Sequence, residues 1–130
     1  SSITSFVQQA CIVALNEGQH EVEKMRKTFE QRRNLMHKLL NEIPKLHCAK
    51  PEGAFYLFPD VSAYLQKTAP KLFIDDSNDL AEYLLTNAHI ATVSGDAFGA
   101  PGYLRFSYAA SETQIRTGVE RLKDSLLQLS

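Results

Sequence analysis

Arg105 stands near the middle of "GYLRFSYAAS", residues 102–111. A guanidinium is a planar fork that can meet a carboxylate with two parallel hydrogen bonds. A β-strand would hold that fork stiffly, which is what orienting a small acid requires. The stretch alternates as a half-buried strand does. Leu104, Phe106 and Tyr108 share one face, and Tyr103, Arg105 and Ser107 share the other. Two readings follow. Arg105 either keeps an exposed sheet face in water, as most charged side chains do, or it reaches for an anion.

Two further stretches carry candidate chemistry. In "SGDAFGAPG", residues 94–102, the glycines could let backbone N–H groups approach an anion. A plain loop between two strands explains them as well. The Gly-Lys-Ser/Thr of a P-loop and the G-x-G-x-x-G of a dinucleotide turn are both missing. Phe98 in this loop is an apolar ring that would plug into a neighbouring surface. In "PEGAFY", residues 51–56, Gly53 permits close approach of a ligand or another backbone, although turn chemistry accounts for it equally. Tyr103, Arg105 and Phe106 have base-stacking residue types, but the glycines of the RNA-binding strand signature are absent. No Ser-His-Asp or Cys-His arrangement can be assembled. The histidines (20, 37, 47 and 89) and cysteines (11 and 48) show no zinc spacing, so no metal is expected.

Composition narrows the classes. The chain has 130 residues, enough for one domain with a sizeable core. Fourteen basic residues against fifteen acidic give a net charge of −1, which argues against nucleic-acid and membrane-surface partners. Cys11 and Cys48 lack a C-x-x-C neighbourhood, so reduced, buried thiols of a cytoplasmic protein are expected, with one disulfide as the alternative. No signal peptide and no bilayer-length apolar run is expected. The abrupt opening "SSITSFVQQA", with no initiator methionine, reads as a processed protein or a piece of a longer one.

The elements that must position these residues are legible in outline. Ser5 and Gln8 have capping-box spacing, and Gly18 suits a C-cap. A helix over about 5–17 is predicted, apolar round much of its girth and therefore buried. Val22, Met25, Phe29, Met36, Leu39 and Ile43 then mark one long amphipathic helix over about 20–43, interrupted by Arg32 and ended by Pro44. Glu23 and Lys27 are spaced for an i,i+4 pair. A short strand is expected at 46–49. "AFYLFPDVS" predicts a central strand with both faces covered, Phe55, Leu57 and Pro59 facing one way and Ala54, Tyr56 and Phe58 the other. "VSAYLQKTAP" suggests a short helix before Pro70. Asp76 or Ser77 caps a helix through Ala88, with Leu80, Tyr83 and Leu84 inward. "HIATVSG" and "YLRFSYA" are strands. Ser111 and Gln114 open a last helix striped by Ile115, Val119, Leu122, Leu126 and Leu129. The order gives an α+β fold, a small and mainly antiparallel sheet packed by helices and entered through the long helix.

Taken in order, "SSITSFVQQA", "PEGAFYLFPDVS" and "HIATVSGDAFGAPGYLRFSYA" resemble the C-terminal part of a class I aminotransferase of the aspartate aminotransferase family, which are pyridoxal-phosphate enzymes. The resemblance covers nearly the whole chain. It implies that residues 1–18 are a helix left over from a large cofactor-binding domain and that 19–130 form the small C-terminal domain. It implies that Arg105 binds the substrate's α-carboxylate, with Phe55, Gly53, Phe98 and Gly99 lining the substrate site. The family's Schiff-base lysine lies in a Ser-x-x-Lys segment, and none of the eight lysines here sits in one, "TAPK" ending at Lys71 being the nearest. The resemblance therefore implies a piece without its catalytic lysine, inactive and without pyridoxal phosphate by itself, with the apolar surface of helix 5–17 and the sheet face of Arg105 exposed or covered only in an oligomer. The whole enzyme would be a homodimer moving an amino group from an L-amino acid, aspartate by family, to 2-oxoglutarate. The residues without the resemblance leave another reading open, a free-standing α+β module that holds a carboxylate or peptide.

Overall fold

The computed structural model describes residues 2–69 and 72–130. They fall into two compact units, Ser1–Gln31 and Arg32–Ser130. In the first unit, helix α1 spans Ser5–Glu17, within the expected bounds. Its start differs from expectation. Thr4 is the N-cap, without a side-chain cap bond, and the Gln8 amide donates to the Ile3 carbonyl at 2.8 Å. Ser5 is already helical, so it sits one residue too late to cap. The burial that periodicity alone asks for is absent, and the apolar surface is exposed as the reading of a piece without its large domain expects. No residue of α1 is buried, and Phe6 is 76% exposed. Cys11 is exposed rather than buried, for the same reason. Gly18 closes α1 in the right-handed region, so the chain continues at once into helix α2, Gln19–Asn41. Along its first half Val22 and Met25 are exposed, and Arg26 forks Glu23 at 2.8 and 3.0 Å while reaching Glu30 at 3.0 Å. The Glu23–Lys27 pair forms at 3.8 Å.

In the second unit, α2 buries Met36 and Leu40. Leu40, not Leu39, takes the fully inward position, and Ile43 is buried beyond the helix end. The strand expected at 46–49 is a single antiparallel bridge, His47 to Asp60. The reason is local. The Asn41 amide accepts from the Cys48 N–H and donates to its carbonyl, both at 3.1 Å, so neither group is left for a ladder.

Five short strands follow: β1 Tyr56–Leu57, β2 Lys67–Ala69, β3 Leu72–Ile74, β4 Val93–Ser94 and β5 Leu104–Ser107. The order β1-β5-β4 makes one antiparallel sheet, and β2-β3 makes a separate antiparallel pair. The strand predicted as central is thus an edge strand of two residues, with Phe55 and Tyr56 exposed. β5 holds the centre, because both β1 and β4 pair with it. β4 is shorter than the predicted 89–95 strand; His89 there adopts a left-handed conformation that ends the preceding helical turn. The short helix expected before Pro70 is present as a 3-10 turn, Ser62–Tyr64, and strand β2 follows it. Pro70 and Lys71 themselves lie outside the described residues. Thr68 of β2 exchanges two backbone hydrogen bonds with Ser130, at 2.9 and 3.2 Å.

The remaining helices follow the sequence pattern. Asp76 caps α3, Ser77–Tyr83, by accepting the N–H groups of Asn78 and Asp79 at 2.7 and 3.0 Å. A wider turn, Leu84–Ala88, prolongs it. Leu80, Tyr83 and Leu84 are buried. The capping box Ser111/Gln114 opens α4, Glu112–Leu126, and all five residues of its predicted stripe are buried. Together with Leu57, Leu104, Phe106 and Tyr108 they form the core, each large apolar side chain contributing about 1.5–3 kcal/mol. This is the expected α+β arrangement. Among the described residues no helix is long and apolar enough to cross a membrane.

Candidate functional site

Strand β5 places Arg105 opposite Val93 of β4. On the other side, β1 is in register with Tyr56 across from Ser107 and Leu57 across from Phe106. The register persists to the Asp60–Tyr103 bridge, which sets Phe58 across from Arg105. Alternation then does the sorting. Leu104, Phe106 and Tyr108 are buried, and Arg105 lies half-buried on the opposite face.

On that face Tyr56, Phe58, Phe98 and Arg105 line a hollow of about 130 Å³. The guanidinium carbon lies 4.8 Å from the centre of the Phe98 ring and 5.5 Å from that of Tyr56, both within cation–π range. Phe58 meets Phe98 edge-on at 6.2 Å and stacks on Tyr103 at 5.2 Å. Among the described residues no carboxylate pairs with Arg105 and no hydrogen bond engages its guanidinium. Its donors are thus free to receive an acidic group from outside the chain.

Phe98 is delivered by a 3-10 turn, Gly95–Phe98. The Ser94 hydroxyl opens that turn, accepting the Asp96 N–H at 3.2 Å and donating to its carboxylate at 2.7 Å. Gly95 is obligatory here. A Cβ would stand 2.1 Å from the Ala100 carbonyl oxygen. Gly99 closes the turn at φ +68°, in the left-handed region that favours glycine. Gly102 then hands the chain to β5, its N–H donating to the buried Ser77 hydroxyl at 2.9 Å.

Of the residues singled out by sequence, Arg105 and Phe98 meet in the hollow, and Gly99 adjoins Phe98. Phe55 and Gly53 do not line it. Phe55 is 55% exposed, its ring edge-on to Tyr56 at 6.1 Å, and a Cβ at Gly53 would meet nothing within 4 Å. Their loop is held from β5's own end: the Tyr108 hydroxyl donates to the Ala54 carbonyl at 2.8 Å, and its N–H to the Phe55 carbonyl at 2.9 Å. Burial pushes the Tyr108 phenol up from its ordinary value, which keeps it a donor. Tyr56 and Phe58 are the lining residues that sequence reasoning missed. Their shared face was legible from alternation. What was missing was the antiparallel register that turns this face toward Arg105.

A strand arginine facing an aromatic-walled hollow suits recognition of a small carboxylate. Known proteins bear on what surrounds it. The family model "Aminotransferase class I and II" matches residues 1–122. A probable aspartate/prephenate aminotransferase of Aquifex aeolicus is 42% identical over 99% of this chain and 32% of its own length. An aspartate aminotransferase of Bacillus sp. strain YM-2 is 43% identical over 94% of this chain and 30% of its own. The crystal structure of the aspartate aminotransferase from Rhizobium meliloti superposes with a TM-score of 0.94 at 39% identity, covering 100% of this chain and 33% of that one. The chain thus spans about a third of the length of the relatives it matches. With the family model matching nearly end to end, this chain belongs to the class I and II aminotransferases.

Proposed function

We propose that this chain is the substrate-clamping part of an aminotransferase that moves an amino group from an L-amino acid, aspartate in the first instance, to 2-oxoglutarate. Arg105 grips the α-carboxylate in a two-pronged hydrogen-bonded pair. The observation that carries this reading is the guanidinium on β5, with no acidic partner among the described residues and an aromatic hollow beside it. Phe98 and Gly99 approach the bound acid from the loop, while Phe55 and Gly53 lie further along the substrate entrance. Residues 1–18 belong with a large cofactor-binding domain, and 19–130 form the small domain with the helix 20–43 as its connector. The whole enzyme is a cytoplasmic homodimer.

Pyridoxal phosphate is the family's cofactor. The hollow offers one guanidinium and three rings. It has no amine to bond an aldehyde and no carboxylate to pair with a pyridine nitrogen, so this donor set does not fit the cofactor. In this reading the cofactor and the lysine belong to the two thirds of the relatives' length that the chain does not match. The work of this chain is to bind the acid and fix its orientation. Alone it is inactive.

The test is steady-state transamination by the full-length enzyme. Arg105→Ala should lose most of kcat/KM for aspartate, and Arg105→Lys should restore only a part, since an ammonium lacks the planar fork. An Arg105→Ala enzyme with wild-type kinetics would remove Arg105 from the site.

A further inference from the structure

We infer that Phe98 is a positioning residue for Arg105: its ring, fixed by the 3-10 turn, aims the guanidinium before any acid arrives. The inference rests on the carboxylate-holding role proposed for Arg105. An arginine side chain has four rotatable torsions and loses much freedom when it is ordered. A residue that orders it in advance removes that cost from binding.

The geometry suits this task. Phe98 is the nearer of the two rings to the guanidinium carbon, at 4.8 Å against 5.5 Å for Tyr56. It comes from a different stretch of chain than the sheet pair β1 and β5, so Arg105 is held by the loop as well as by its neighbouring strand. The ring is itself braced. Phe58 contacts it edge-on, and Phe58 in turn stacks on Tyr103 of the bridge beside β5. Its backbone is braced too. Gly95 donates to the Tyr103 carbonyl at 2.8 Å and accepts from the Ala100 N–H at 3.0 Å, so both sides of the turn are tied down. Yet Phe98 is 51% exposed and adds little to the core. A large ring, rigidly mounted and half in water, is poorly explained as a stability element. A guanidinium resting on aromatic faces still presents its N–H groups in its own plane, where a carboxylate approaches.

The experiment uses the full-length enzyme with Phe98→Leu, Phe98→Tyr and Arg105→Ala, and succinate as a competitive carboxylate probe. Phe98→Leu keeps an apolar side chain but removes the π face. It should raise the succinate inhibition constant and the amino-acid KM about fivefold, the size of one partly exposed cation–π contact, with a smaller change in kcat and an unchanged melting temperature. Phe98→Tyr keeps the face and should stay within about twofold of wild type. If Phe98→Leu binds succinate as wild type does while Arg105→Ala loses it, the positioning role is overturned and the carboxylate role of Arg105 stands. Equal losses in the leucine and tyrosine variants also overturn it, because the π face would then be irrelevant. If Arg105→Ala itself binds succinate normally, the carboxylate role fails and the inference goes with it.

Discussion

Strand β5 carries two sets of side chains one residue apart, and they meet different surroundings. Leu104, Phe106 and Tyr108 are buried. Arg105 lies half-buried on the other face among Tyr56, Phe58 and Phe98, rings that are themselves exposed or half-exposed. Both faces are built on the same backbone, so the first face's rigidity is transmitted to the second. A binding group can therefore be left open to solvent without being left loose. The contrast also separates two kinds of damage. Substitutions on the inner face should cost stability, and those on the outer face should cost recognition.

The largest effects should come from the neighbours Leu104 and Arg105. Leu104 is 0% exposed, so Leu104→Ala should cost about 2–5 kcal/mol of folding stability, read from urea unfolding. In the full-length enzyme Arg105→Ala should cost on the order of 2–5 kcal/mol in kcat/KM for amino acids, with unfolding unchanged to within about 0.5 kcal/mol. If the arginine variant proved as unstable as the leucine variant, the two faces would not be functionally distinct. Gly95→Ala comes next. Its Cβ would collide with backbone at Ala100 and Tyr103, so the Phe98 turn must shift, at a cost of about 1–3 kcal/mol, and carboxylate affinity should fall with it. A change confined to stability would uncouple the loop from the outer face. Ser111→Ala removes the reciprocal cap of α4, a helix that contributes no residue to the hollow around Arg105. Thermal melting should register about 1 kcal/mol, and kinetics should not move.

The smallest effect is a pH dependence. The Asp79 N–H and the Asn78 side chain hold the Asp76 carboxyl below the usual range. A lowered folded-state value means the stabilisation is present above the unfolded value, about 3.9. It fades as pH falls below that and through the folded value. Asp76→Asn keeps a good cap but does not titrate. Its stability should match wild type near neutrality and fall less steeply below about pH 4. Parallel acid-unfolding curves would show that the cap's charge is immaterial.

Local pattern was enough for some elements and not for others. β5, α3 and α4 could be read directly, because alternation, caps and a 3.6-residue stripe are properties of the segment itself. The partner strands were less legible. β1 looked central since Tyr56, Leu57 and Phe58 are all apolar, but apolar character does not say which surface is covered within one chain. Periodicity alone asks for a covered α1, whereas the reading of a piece without its large domain expects the exposed apolar residues that are found. The three-residue strands β2 and β3 are too short to show a period. The strand expected at 46–49 failed because a single asparagine, Asn41, answers the backbone of Cys48 first. At the site, Arg105 and Phe98 were visible by residue type, whereas Tyr56 and Phe58 required a pairing that only the fold supplies.

The two-way backbone exchange between Thr68 and Ser130 has a practical side. Ser130 is a clasp on the outer edge of β2, so a fluorophore attached at this position would tug on that strand. Labels are better carried on α4, at Glu120 for instance, where the side chain is exposed.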